Sequence, residues 1–299
     1  MSSSGASARR RGITIVTFAY LSAALAAWAV VQLLPASWHP LTVVAIADVV
    51  ATLVVFGWSV AHDNSSMYDP YWSVAPLLIG PWLALRPEAA SAVGLRQLLV
   101  LAILFAWGLR LTFNWLRGWQ GMRHEDWRYA DLRRSTGRLY WLVSLLGLHL
   151  MPTAMVLGGC LSLWPALVLG SAPLGWLDGL AVLLGVGAVA CETAADRQLH
   201  EFRRRRPPPG TILSEGLWGW SRHPNYFGEI ILWWSMFAFG LAAAPGTWWP
   251  VTGPVAITLL FVFISIPLIE RRMRARRSGW DAHCRRVSVL VPWPPRARR

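Results

Sequence analysis

Two regions of the chain bring ionisable and hydrogen-bonding side chains together at spacings that suit chemistry. Glu192, Asp196 and His200 recur at i, i+4 and i+8, so on a helix they share one face. Such carboxylates either pair with Arg197 and Arg203 and fix a helix end, or accept hydrogen bonds from ribose or adenine groups of a nucleotide. Arg203-Arg204-Arg205-Arg206 follows, four planar donors suited to bidentate phosphate contacts. A basic cluster that stops membrane transfer has the same composition. The run Ser221-Arg222-His223-Pro224-Asn225-Tyr226-Phe227-Gly228-Glu229 then enters an apolar stretch. Ser221 or Asn225 suits a helix cap and Pro224 a first turn, but capping does not account for Asn, Tyr and Glu together. Glu229 falls inside the apolar stretch, where an ionisable group is a functional candidate by default.

The elements that must position these residues follow from composition. Of 299 residues, 55% are hydrophobic and 14% charged, against roughly 25% charged in soluble domains. All 28 basic residues are Arg, with a formal net charge of +13. Too little polar surface remains for a soluble body presenting a basic face, which excludes a nucleic-acid-binding module, and the lack of Lys excludes a P-loop. Cys160, Cys191 and Cys284 have neither CxxC spacing nor partners, so no disulfide framework and no metal site is expected. Apolar runs long enough to span a bilayer lie near 13–34, 41–61, 97–117, 139–160, 174–195, 225–244 and 251–269. The run 72–85 carries Pro76 and Pro81 and reads as a broken or partial eighth span, while 161–173 extends its neighbour or forms a short hairpin. No small-residue cleavage site follows a short apolar stretch near the start, so a cleaved leader is not expected.

Twenty-five of the 28 Arg fall in four segments: the N-terminus, 117–138, 197–222 and 271–299. The positive-inside rule puts all four in the cytoplasm, and two cytoplasmic ends favour eight spans. The expected fold is all-α, a polytopic membrane helix bundle of seven to eight transmembrane helices with cytoplasmic basic loops. It forms one integral membrane domain over 1–299, opened by a basic tail at 1–12. Trp38, Trp72, Trp82, Trp119, Trp127, Trp248, Trp249 and Trp293 read as interfacial belts. Loop 117–138 holds His124-Glu125-Asp126-Trp127-Arg128-Tyr129. It reads either as a headgroup-facing loop or as a folded pocket, and its mixture of acid, Arg and aromatic favours the pocket. The Arg-rich tail beyond 270 suits an amphipathic segment at the interface.

Four pieces in order carry a resemblance: Glu-Thr-Ala-Ala-Asp-Arg-Gln-Leu at 192–199, Gly-Leu-Trp with Ser-Arg-His-Pro-Asn-Tyr-Phe-Gly-Glu over 216–229, Gly253-Pro254, and Ile-Pro-Leu-Ile-Glu at 266–270. Upstream, Asp69-Pro70-Tyr71-Trp72, Trp107-Gly108-Leu109-Arg110 and Glu125-Asp126-Trp127-Arg128-Tyr129 add to it. Together they resemble the steroid 5-alpha-reductase-type C-terminal domain family in its bacterial DUF1295 branch, with 192–295 as the reductase-like region. The Arg-His-Pro core is shared with isoprenylcysteine-type membrane methyltransferases.

The resemblance implies an NADPH-dependent reductase of a carbon–carbon double bond conjugated to a carbonyl, in a bacterial inner membrane with both termini cytoplasmic. Its partners are membrane lipids and a hydrophobic small-molecule or lipid substrate. Glu192, Asp196 and Arg203 would contact the adenosine and phosphate end; Asn225 and Glu229 would hold the nicotinamide side, with Arg222, His223 and Tyr226 shaping the pocket. Eukaryotic members polarise the substrate carbonyl with a Glu and a Tyr. The positional candidates are Asp69 and Trp107, and Trp107 lacks a phenolic proton. Asp69 then reads as the catalytic acid or as a structural N-cap, with Glu229 as the second catalytic candidate. Two other readings stand: an S-adenosylmethionine-dependent lipid methyltransferase, and a non-catalytic lipid-binding protein. Gly185-Val186-Gly187-Ala188-Val189-Ala190 fits GxGxxA but lies within an apolar span with no preceding strand, so close helix packing is expected of it instead.

Overall fold

A computed structural model describes residues 3–295, which are mostly helical and contain no strand; the only pairing of that kind among them is an isolated bridge between Ser221 and Ser288. In chain order the helices are α1 Ser3–Leu33, α2 Pro40–Ala61, α3 Tyr71–Ala84, α4 Gly94–Gly118, α5 Trp127–Leu169, α6 Trp176–Arg204, α7 Pro224–Ala243, α8 Trp249–Arg276 and α9 Trp280–Arg286. Seven of them (all but α3 and α9) are long and apolar enough to cross a membrane, and each coincides to within two residues with, or contains, one of the seven runs expected from the sequence. The 14-residue α3 is the broken span, with Pro76 and Pro81 inside it. The apolar run 161–173 extends its neighbour: Pro165–Leu169 closes α5 as a wide helical turn.

Residues 3–12 are not a separate tail. They form the first turns of α1, and Arg9 reaches the end of α4, donating to the carbonyls of Leu116 (2.8 Å) and Trp119 (3.0 Å). Trp119 is buried in a cluster with Val16, Ala19 and Met67 and is therefore not an interfacial belt residue, whereas Trp248 and Trp293 are well exposed. At this same end Asp63 meets Arg133 and Asp131 meets Arg272, and Trp293 N–H donates to the Trp220 carbonyl. Both described chain ends thus lie at one arginine-rich end of the bundle. Arg296, Arg298 and Arg299 lie outside the described residues.

At the opposite end, buried Arg96 forms a two-pronged pair with Asp178 (2.6 and 2.9 Å) and also donates to the carbonyls of Ala172 and Pro173. The most extensive helix pair is α6 against α7. Small residues allow the approach: a Cβ on Gly185 would lie 2.7 Å from Ser235 Oγ, so this part of the GxGxxA string packs helices. A Cβ on Gly228 would strike Glu192 and lie 3.0 Å from the Ala188 carbonyl. Gly228→Ala should therefore destabilise the protein by about 1–3 kcal/mol, read as a lowered thermal midpoint in detergent.

Candidate functional site

At the arginine-rich end a cavity of about 270 Å³ is enclosed by the end of α6, the 205–223 loop, the start of α7, the end of α8 and α9. The loop is fixed to α6: the Gln198 side chain accepts from Leu217 N–H (3.0 Å) and Trp218 Nε1 donates to the Ala195 carbonyl (3.0 Å). The C-terminal segment braces it from outside, with Ser221 Oγ donating to the Leu290 carbonyl (2.7 Å) and Arg222 N–H to that of Ser288 (2.9 Å). Ser221 is committed to this brace and to accepting from His223 N–H, so it does not cap α7. Pro224 does occupy the first turn.

The cavity lining includes Arg203, Arg222 and Arg277 and no carboxylate. Arg222 is held by Glu270 (2.7 Å) and by the carbonyls of Cys284 and Val287. Arg203 and Arg277 form no ion pair with a described residue. Burial first, and then the Arg203 guanidinium, pull Arg277 below the ordinary arginine value. His283 on the same wall is lowered by burial and then by Arg222 and Arg286. The Trp280 indole N–H is buried with no hydrogen-bond partner, and the Asn225 amide makes no hydrogen bond to a described residue. His223 stacks on Tyr226 at 5.6 Å between ring centroids and 9° between planes. Two arginines outside any ion pair, unused amide and indole donors, and flat aromatic rings together suit an anionic ligand with planar rings.

A second group lies deeper, between α4, α6 and α7. Arg110 on α4 pairs with Glu192, and with Asp196 at 2.6 Å; Asn114 also donates to Asp196 (3.1 Å). Glu229 accepts from Trp107 Nε1 (2.9 Å) and Trp233 Nε1 (3.1 Å) and adjoins Glu192. Three carboxyl groups thus surround one guanidinium. The Glu192 and Asp196 partner is Arg110 rather than Arg197, which instead pairs with Glu201 one turn along the exposed face.

The third group is built on the segment before α3. Asp69 accepts a hydrogen bond from Tyr129 Oη, and Arg128 lies 3.9 Å away. Burial pushes Asp69 up to about 6, outweighing the lowering by Arg128 and Tyr129. Arg128 also acts electrostatically on Tyr226 of the cavity, which links the two groups. Asp69 binds a proton more tightly here than in an unfolded chain, so between about pH 4 and 6 its contribution to stability falls as pH rises. An infrared carboxylic-acid band should disappear with a midpoint near pH 6 and be missing in Asp69→Asn; a midpoint near 4 would contradict this.

The structure therefore divides the sequence candidates. Arg203, Arg222, His223, Asn225 and Tyr226 line one cavity; Glu192, Asp196 and Glu229 cluster around Arg110; Asp69 stands with Tyr129. Trp107 contacts Glu229, so the phenol beside Asp69 comes from Tyr129. Arg110, Tyr129 and Arg277 were not singled out from the sequence as site residues. Arg110 had a signal of its own, a charge within an apolar span. Among the described residues no three His, Cys, Asp or Glu side chains converge as a metal site.

What the fold and these groups define is a polytopic helical membrane protein with a basic, aromatic-lined cavity at one end of its bundle. The chain belongs to the DUF1295 family, described as proteins of unknown function, and matches it over residues 55–286, a range that contains Asp69 and the whole cavity lining. It is 27% identical over 216 residues to an uncharacterised protein of Schizosaccharomyces pombe, covering 64% of this chain and 62% of that one. It is 30% identical over 95 residues to the lamin-B receptor of Drosophila melanogaster, covering 31% of this chain and 12% of the receptor. The chain thus spans under two thirds of the yeast relative and about an eighth of the receptor. No solved structure matches it.

Proposed function

We propose that the protein is a membrane-embedded, NADPH-dependent reductase of an enone-type carbon–carbon double bond in a lipid or steroid-like substrate. The observation that carries this reading is the cavity with three arginines, no acid and an unsatisfied Trp280 N–H. In it Arg203 and Arg277 hold phosphate oxygens, Trp280 and Asn225 hydrogen-bond ring or amide groups, and Tyr226 offers a stacking face. The 270 Å³ space takes one part of the dinucleotide, and the Arg204–206 loop lies beside the rest. S-adenosylmethionine, with a sulfonium cation and no phosphate, suits poorly a wall that holds three arginines and no carboxylate. The arginine-rich end faces the cytoplasm, where NADPH is found, by the positive-inside rule.

When bound, NADPH supplies a hydride to the carbon β to the carbonyl. The chain's part is to stabilise the negative charge that develops on the carbonyl oxygen. Tyr129 and Asp69, sharing one hydrogen bond, supply that donor, and Asp69 carries a proton below about pH 6. As the enolate returns to a carbonyl, the Asp69 proton passes to the α-carbon and water reprotonates the carboxylate; with the hydride at the β-carbon, the product gains two hydrogens. Glu229 acts in support in this reading, because both its oxygens are engaged by indoles.

Trp218 and Trp280 line the cavity, so nucleotide binding should quench intrinsic fluorescence. The purified protein should bind NADPH saturably and S-adenosylmethionine weakly. Binding of S-adenosylmethionine without NADPH would overturn the reading.

A further inference from the structure

A second cavity, of about 430 Å³, lies between α1, α2 and α3, well apart from the basic one in its lining. Its walls are small and apolar, with Ala27, Ala51 and Ala75 facing it and Trp28 and Trp82 at its sides. Its size falls in the roughly 300–1,000 Å³ range of small-molecule pockets. Trp28 and Leu85 at its rim are well exposed on the outside of the bundle, so the cavity is a groove open to lipid.

One charged residue reaches this groove. Asp48 is 5% exposed; its Oδ1 accepts from Tyr71 Oη at 2.6 Å, while Oδ2 is buried with no hydrogen-bond partner. No described Arg or His forms an ion pair with it. A buried carboxyl oxygen without a partner is costly in an apolar span, and nothing else in the lining satisfies it.

We infer that this groove binds an apolar lipid bearing a hydroxyl group, with the hydroxyl hydrogen-bonded to Asp48 Oδ2. A hydroxyl both donates and accepts, so it satisfies Oδ2 in either protonation state; a ketone only accepts and a hydrocarbon does neither. A bilayer phospholipid does not meet the requirement. Asp48 lies eight residues into α2 from Pro40, about 12 Å along the helix, so a headgroup held at the interface stays out of reach and an acyl chain brings no polar atom. The alanine walls suit a rigid or branched body that fills space the side chains leave open. A lipid that carries an enone beside this hydroxyl would be the substrate of the reductase proposed above, and only the word substrate rests on that reading.

The test uses the full chain in detergent without nucleotide. The probes are the fluorescent 3-hydroxysterol dehydroergosterol, its 3-deoxy hydrocarbon and its 3-ketone as competitors, and geranylgeraniol as a flexible alcohol. Energy transfer from Trp28 and Trp82 reports occupancy. At least one alcohol should bind saturably and about tenfold more tightly than the hydrocarbon, a preference that Asp48→Ala removes. Ala27→Trp, a change at a half-buried rim position, should block both alcohol and hydrocarbon and keeps the test valid if Asp48→Ala does not fold. Equal affinity for alcohol and hydrocarbon, no saturable binding of either alcohol, or alcohol binding unchanged by Ala27→Trp would overturn the inference. NADPH affinity measured on the same preparations separates failure of the groove from failure of the cofactor reading.

Discussion

Arg110→Ala should cost about 3–5 kcal/mol of stability, because it strands two buried carboxylates that share one guanidinium. Glu192 and Asp196 side chains are 3% and 17% exposed, too little for water to replace the lost cation. The cluster joins α4 to α6, and through Glu229 and the Trp107 and Trp233 indoles it also ties in α7. Loss of Arg110 therefore loosens three helices. Adding Glu192→Gln and Asp196→Asn to Arg110→Ala removes the stranded charges and should restore a large part of the loss. Thermal unfolding in detergent of the wild type, Arg110→Ala, the Glu192→Gln/Asp196→Asn variant and the combination of all three changes gives the coupling energy directly. A loss below about 1 kcal/mol for Arg110→Ala would show that water enters the cluster and that the ion pair does not organise the bundle.

Arg277→Ala and Arg203→Ala should each weaken NADPH binding about 10- to 100-fold, the worth of one charge-assisted contact to phosphate. Their behaviour without ligand separates this role from a structural one. Arg203 and Arg277 repel each other across the cavity and neither has an ion-pair partner among the described residues. Removing Arg203 should leave the unliganded protein as stable as before, and should shrink the stabilisation that added NADPH produces. Arg222→Ala should differ, destabilising the free protein as well, since Arg222 ties Glu270 to two carbonyls of the C-terminal segment. If all three variants lost stability equally and kept their NADPH affinity, the arginines would be structural fasteners.

Much of the bundle was legible because the bilayer makes length and hydropathy sufficient. Seven runs of about 20 apolar residues became seven long helices, and Pro76 and Pro81 marked the one that falls short. The cavity was partly legible. The stretch from Ser221 to Glu229 supplies Arg222, His223, Asn225 and Tyr226 to one wall. What spacing along a single helix did not reveal is which face meets which neighbour. Glu192 and Asp196 take Arg110 of α4 as their ion-pair partner, because Gly228 lets α7 press against Glu192 and Arg110 waits on the other side. Tyr129 escaped notice for a similar reason. Its partner, Asp69, is 60 residues away, and the loop that folds back to join them carries no periodic pattern. Asp48 was invisible within a run of Ala and Val, and only the groove around it gives it meaning.

In the reaction proposed here, hydride passes from NADPH to a lipid held by this bundle. Membranes containing the protein, supplied with NADPH deuterated at the transferable C4 position, test it by mass spectrometry of extracted lipids. One lipid should gain one deuterium and one solvent proton, and the gain should fall strongly with Arg277→Ala and with Asp69→Asn. A membrane in which no lipid acquires deuterium, while a labelled methyl group from S-adenosylmethionine appears on one, would contradict the account.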